Sequence, residues 1–189
     1  MKDIEIHPLT ADRWIDLVKL FGPKGAQEGC WCMWWRQTAR EWKENKGGNN
    51  RRAMEVKVTA GEEPGLIAYA DGQPAGWISL GPRESFPRLK TSRILKPVDD
   101  TPVWSIVCFF ITRAKRRTGL SVALLEAAVK YAKEKGAAVL EGYPTEPKEG
   151  KAVDIFVYTG LRSAFDKVGF EEVARRSEKR PIMRLQLDG

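Results

Sequence analysis

The run Val103-Trp104-Ser105-Ile106-Val107-Cys108-Phe109-Phe110-Ile111 is too apolar and too rich in β-branched and aromatic residues to be anything but a buried strand. Shortly after it comes Arg116-Arg117-Thr118-Gly119-Leu120-Ser121, and a helical pattern from Val122 to Lys135 follows at once. Strand, basic glycine-bearing turn and helix in this order make a cradle for a phosphate-bearing ligand. The amides of a first helical turn have no intrahelical partners, and the helix dipole adds positive potential where they point. Gly119 lets the backbone approach the ligand, and the arginines add charge.

The elements on either side fix the fold class. Ile4-Glu5-Ile6 alternates as a strand. Thr10 is an N-cap for a helix through Phe21, with Trp14, Leu17, Val18 and Phe21 on one face, and Gly22-Pro23 stops it. Another helix runs from about Arg51 to Ala60. Leu66 to Ala70 and Pro74 to Leu80 read as a hairpin about Asp71-Gly72. Residues 81–102 form a proline-punctuated loop, long enough to expect function or mobility. Ala137 to Tyr143 is a strand, Thr145 to Ala152 a polar surface excursion, and Leu161 to Lys167 a short helix closed by Gly169. Phe170 to Ala174 and Ile182 to Leu187 are final strands. The order is mixed α/β, an antiparallel hairpin before a parallel strand–helix–strand unit, and 189 residues suit a single domain over residues 1–189.

Composition narrows the classes. No apolar run reaches the length of a membrane span, and the segment Met1 to Glu5 lacks the apolar stretch of a secretory signal, so a cytoplasmic location is expected. Cys30, Cys32 and Cys108 are too few for a disulfide framework. With His7 as the one histidine they do not make a structural zinc set either, so no metal is expected and the thiols read as buried and reduced. The net charge of +7 fits an anionic ligand. Its bases are spread along the chain, so nucleic acid is not the expected partner. The absence of G-x-x-x-x-G-K-[ST] excludes a P-loop nucleotide site.

Arg116-Arg117-Thr118-Gly119-Leu120-Ser121 between strand and helix, with Ala164-Phe165-Asp166-Lys167-Val168-Gly169-Phe170 downstream, resembles the GNAT (GCN5-related N-acetyltransferase) superfamily. The order of elements matches that superfamily over nearly the whole chain. The resemblance implies a GNAT-like fold, a mixed and mostly antiparallel sheet of about six to seven strands with a splayed central parallel pair and flanking helices. It implies acetyl-CoA as cosubstrate, its pyrophosphate on the amides of Arg117, Thr118, Gly119, Leu120, Ser121 and Val122 beside Arg116. Phe109, Phe110 and Ile111 would then present main-chain groups to the pantetheine arm and thioester. Two positions depart from the pattern. Ser121 replaces the usual Gly or Ala, and Phe165 stands where many members have a tyrosine that protonates the departing thiolate.

The implied reaction is transfer of an acetyl group to a primary amine of a small molecule by direct attack on the thioester. A base is then required, and so is a donor for the oxyanion, expected from a backbone N–H near Phe109 or Phe110. Glu141, at the end of a strand beside the splay, is the first choice of base. Glu84, in the long loop, is the second and is counted with the acceptor site. Tyr158 and Tyr143 are the replacements in sequence for the missing acid. The block Gly29-Cys30-Trp31-Cys32-Met33-Trp34-Trp35-Arg36 reads either as core or as the acceptor wall, with Trp31, Trp34 and Trp35 as candidates. Other readings are a protein or peptide acetyltransferase and a non-catalytic acyl-CoA sensor; monomer and homodimer are both open.

Overall fold

The computed structural model describes residues 3–45, 48–147 and 158–187. Seven strands form one sheet in the order β1-β2-β3-β4-β5-β7-β6. They are β1 (Ile4–Pro8), β2 (Gly65–Ala70), β3 (Gln73–Pro82), β4 (Trp104–Ile111), β5 (Val139–Gly142), β6 (Glu171–Arg175) and β7 (Pro181–Gln186). Every neighbouring pair is antiparallel except β4–β5. The helices are α1 (Trp14–Phe21), α2 (Ala39–Asn45), α3 (Gly48–Thr59), α4 (Pro87–Thr91), α5 (Leu120–Glu134) and α6 (Arg162–Val168).

The hairpin β2–β3 turns on Asp71 and Gly72, both at positive φ, as a two-residue connection between right-twisted strands requires. β3 and β4 pair with a bulge: Ser79 lies opposite Cys108 but Leu80 lies opposite Ile106, leaving Val107 as the extra residue. The bulge resets which side chains face which way. Ile106 and Phe109 point to the side covered by α5 and α6, whereas Val107, Cys108 and Phe110 belong to the opposite side. β4 and β5 then pair over Trp104 to Ile106 only, so the rest of β4 runs on without β5 beside it.

On one face, Leu120, Leu124, Leu125, Ala128 and Ala132 of α5 pack on Ile78, Leu80, Ile106 and Leu140. Gly76 allows this approach, because a Cβ there would meet the Leu120 and Leu124 side chains at 3.1 and 3.2 Å. On the other face, Trp14, Leu17 and Phe21 of α1 and Met54 and Val58 of α3 cover Ile67 and Trp77. Farther along, Phe86, Leu89 and Leu95 cover Val107, Tyr143 and Ile182.

Several expectations are adjusted. The helix after the basic turn begins at Leu120, earlier than Val122, with Gly119 as its N-cap at φ +86°. α3 likewise starts at Gly48, before Arg51. Thr10 precedes a short 3-10 turn instead of capping α1, and its hydroxyl donates to Asp12 at 2.5 Å. Segment 81–102 is fastened down. It contains α4, buries Phe86, Leu89 and Leu95, and holds its carbonyls at Leu95, Lys96 and Pro97 to Arg83 and Arg176. The part of the expected polar excursion at 148–152 lies outside the described residues.

Candidate active site

At the N-terminus of α5, the amides of Arg117, Thr118, Gly119, Leu120 and Ser121 have no backbone partner among the described residues. The first to be used is that of Val122, which donates to the Gly119 carbonyl at 3.0 Å. Arg117 and Gly119 both take positive φ, and the Thr118 hydroxyl pins the turn by donating to the Lys115 carbonyl at 2.7 Å. Residues 116–119 are all exposed, and the Arg116 Nε donates to the Ile111 carbonyl at 3.3 Å. The turn is therefore tied to the end of β4, and its donors lie at the end of a four-turn helix where the dipole is positive. The predicted residues of this turn all come together.

Where β5 leaves β4, the free edge of β4 is partly occupied. The Phe109 amide donates to the Tyr158 carbonyl at 2.6 Å. Phe110 pairs instead with Trp77 on β3. Of the two amides expected to serve an oxyanion, that of Phe109 faces the splay and already has a partner.

Beside this edge lies a cavity of about 260 Å³, lined by Phe109, Phe110 and Tyr158 on one side and by Phe21, Trp34, Trp35, Trp42 and Trp77 around it. All three cysteines line it as well. Trp34 meets Trp42 edge to face with ring centroids 5.1 Å apart, and the Arg88 guanidinium stacks on Trp34 at 3.7 Å. These contacts hold the outer wall in place. Trp35 lines the cavity and buries its Nε1, which has no hydrogen-bond partner among the described residues. Of the tryptophans singled out in the sequence, Trp34 and Trp35 line the cavity. Trp31 does not: it packs in the core with Trp14 and Phe21.

The two carboxylates named from sequence take other places. Glu84 is exposed and lines none of the cavities found among the described residues. Glu141 is 1% exposed and lies in a buried ionic network. Its Oε1 accepts from Arg83 Nη1 at 2.9 Å and from the Tyr143 hydroxyl at 2.6 Å, and its Oε2 accepts from Arg184 Nε at 2.8 Å. Arg184 continues to Asp99 at 2.7 Å, and Ser105 shares the Tyr143 hydroxyl at 2.8 Å. A carboxylate so committed, under the 81–102 segment, has no path to an amine in the cavity. Its work is to join β5, β7 and that segment. Tyr143 falls with it: burial, and then the Glu141 charge, push its hydroxyl well above the usual range, and it is fully enclosed.

Phe165 is also explained. Its ring is 0% exposed and packs edge to face on Phe170, with centroids 4.9 Å apart, and on Phe109 at 6.2 Å. It fills space left by Gly142 and Gly160, where added Cβ atoms would collide with it. Tyr158 is the tyrosine that does reach the cavity. Burial raises its hydroxyl above the ordinary value, while the Arg180 guanidinium, 5.9 Å from its ring, opposes that rise.

Sequence reasoning passed over Trp42, Trp77 and the thiols. Trp42 sits on α2, a short helix with no buried residue and hence no periodic signal, and nothing in the spacing of the cysteines shows that all three meet at one cavity. Among the described residues, no group of three or more His, Cys, Asp or Glu side chains is arranged to hold a metal ion.

The model of the acetyltransferase (GNAT) family matches residues 29–152, which take in the tryptophan block, β4, the basic turn and α5. The chain belongs to the GNAT acetyltransferase family. As a member it is an acyltransferase. Solved structures show the same fold. A putative GNAT-family acetyltransferase from Desulfovibrio desulfuricans is 14% identical, with TM-score 0.55, over 98% of this chain and 100% of its own. YncA, a putative acetyltransferase from Salmonella typhimurium solved with acetyl-CoA, is 16% identical, with TM-score 0.55, over 98% and 94%. The PaiA N-acetyltransferase from Thermoplasma acidophilum, solved with coenzyme A, is 17% identical, with TM-score 0.54, over 97% and 99%. No curated protein sequence matches this one. Among the described residues, no helix of this GNAT chain is long and apolar enough to cross a membrane.

Proposed function

We propose that residues 1–189 act as one acetyltransferase domain that moves the acetyl group of acetyl-CoA to a primary amine of a small molecule. The observation that carries this reading is the aromatic cavity opening against Phe109 and Phe110, one step along β4 from the cradle of unpartnered amides at α5. That cradle suits a pyrophosphate, and the acetyl-CoA and coenzyme A complexes of the two relatives support the same donor. The pantetheine arm would pair along the β4 edge and take the Phe109 amide from Tyr158, exchanging one main-chain bond for another.

About 260 Å³, walled by indole and phenyl rings, accommodates a compact acceptor with an apolar or aromatic body. A long peptide would need an open groove instead of a pocket of this size. Direct attack of the amine on the thioester then requires only a base at the cavity wall and a proton for the sulfur, which Tyr158 can give because burial keeps its hydroxyl protonated. The three free thiols suit a reducing, cytoplasmic compartment.

The test is release of coenzyme A from acetyl-CoA with a panel of arylalkyl amines, polyamines, amino acids and peptides. Release with compact apolar amines, and little with peptides, is the expected result. Tight binding of coenzyme A with no release for any amine would replace the enzyme by a sensor.

A further inference from the structure

The GNAT reaction needs a base, and the cavity lining offers a thiol for it. The guanidinium of Arg36 lies under the cover. Its Nη2 donates to the Pro64 carbonyl at 2.8 Å and to Ser79 Oγ and the Leu80 carbonyl at 3.3 Å, its guanidinium carbon rests 4.7 Å from the Phe86 ring centre, and its Nε has no partner among the described residues. Among the described residues no carboxylate forms a salt bridge with it. A buried cation is expensive without a counter-charge. Burial lowers Arg36, and the charges that oppose this are those of Cys32, then of Glu62, with which Arg36 lines a second pocket, and then of Cys108.

Cys32 is 4% exposed yet lines the cavity. Its Sγ accepts from the indole Nε1 of Trp77 at 3.1 Å. Trp31 and Cys32 are consecutive non-glycine residues at positive φ, +46° and +58°, a backbone cost that turns the sulfur inward and that commonly marks functional positions. The thiol is shifted down to about 7, first by the hydrogen bond from Cys108, then by that from Trp77, the charge of Arg36 and the Ser79 hydroxyl, against the opposing effect of burial. Its neighbours move the other way. Burial and the Cys32 charge raise Cys30 to about 11, and the Cys32 hydrogen bond and burial hold Cys108 well above its usual value. Glu28 and Tyr158 are the remaining titratable groups in the lining.

We propose that Cys32, whose sulfur accepts from the Trp77 indole in the cavity wall, is the base that takes the proton from the acceptor amine. This rests on the acetyltransferase reading above. The nitrogen attacks the thioester carbon, the C–S bond breaks, Cys32 takes a proton from the attacking nitrogen, and the departing thiolate receives one from Tyr158. Exchange of one proton with water restores both side chains, so acetyl-CoA and amine become amide and coenzyme A.

Two measurements test it. The first is a pH titration of thiolate absorbance near 240 nm on the acceptor-free protein, taken as the difference between wild type and Cys32→Ser. A midpoint about 7 is expected, moving up by one to two pH units in Arg36→Met. A midpoint in the ordinary thiol range in both proteins overturns the proposal. The second is the pH profile of kcat/KM with an amine that turns over. Wild type should lose activity below about 7, and Cys32→Ser, which keeps a partner for Trp77, should drop about a hundredfold at neutral pH and lose that acidic limb. Unchanged rate and profile in Cys32→Ser, or a stable acetyl group on Cys32 after incubation with acetyl-CoA alone, overturns the base role while leaving the enzyme reading intact. Failure of every amine overturns the enzyme reading, and the base role with it.

Discussion

Tyr158 shows how side chains were reassigned once they were seen in place. In sequence it was one of two tyrosines near a missing acid; in the structure it is the one that lines the cavity, while Tyr143 is sealed under the 81–102 segment with Glu141. Tyr158→Phe is expected to lower kcat about tenfold, less than the usual loss for a proton donor because a thiolate leaves readily. Its carbonyl bond to Phe109 is untouched by the change, so KM for acetyl-CoA should stay put in steady-state kinetics. Phe165 could be recognised from sequence as a departure from the family pattern, but its reason could not. The ring occupies space that Gly142 and Gly160 leave for it, and such a fit is a property of packing and not of spacing along the chain.

Among the elements, the strand–turn–helix at β4 and α5 was legible because three local signals agreed: apolar run, glycine turn and amphipathic helix. Its start was read late, since Leu120 looks apolar in either setting and only the φ of Gly119 marks the cap. Gly119→Ala forces a methyl-bearing residue to φ +86°, at a cost of about 1–2 kcal/mol. Because the strain falls on the donor cradle, a several-fold rise in KM for acetyl-CoA with kcat little changed is the expected kinetic result. The Glu141 network is the second case. Distant residues Arg83, Asp99, Glu141 and Arg184 meet there across three elements, and no periodicity reports such a meeting. Glu141→Gln removes the shared charge of two buried guanidinium groups and should destabilise the fold by about 3 kcal/mol, seen as a lowered midpoint in urea. The pH profile of the surviving enzyme should match wild type; a lost acidic limb would return Glu141 to the list of bases.

For the molecule as a whole, the mixed sheet with its parallel pair followed from the order of elements, whereas the depth of the cover over β4 did not. That cover depends on α2 and the 22–37 region, whose tryptophans pack on one another and on Arg88 instead of following a helical or strand period. Charge adds a further property of the whole. Hydrogen bonds from Arg184, Lys135 and Arg175 hold Asp99, Glu63 and Glu172, respectively, below the ordinary carboxylate range. Groups lowered on folding stabilise above their unfolded values and lose that contribution as pH falls through the folded ones. The melting temperature should therefore be nearly flat between about pH 7 and 5 and fall below about pH 4; a flat curve to pH 3 would show that these pairs contribute nothing. The central claim, that the cavity beside Phe109 is where an amine takes the acetyl group, is read most directly by following acetyl-CoA labelled with carbon-13 at the carbonyl. The account predicts that the label appears in an amide of a compact apolar amine, with one coenzyme A released per amide and none of the label kept on the protein. Label that stays in acetyl-CoA with every amine, or moves only to acetate, would contradict it.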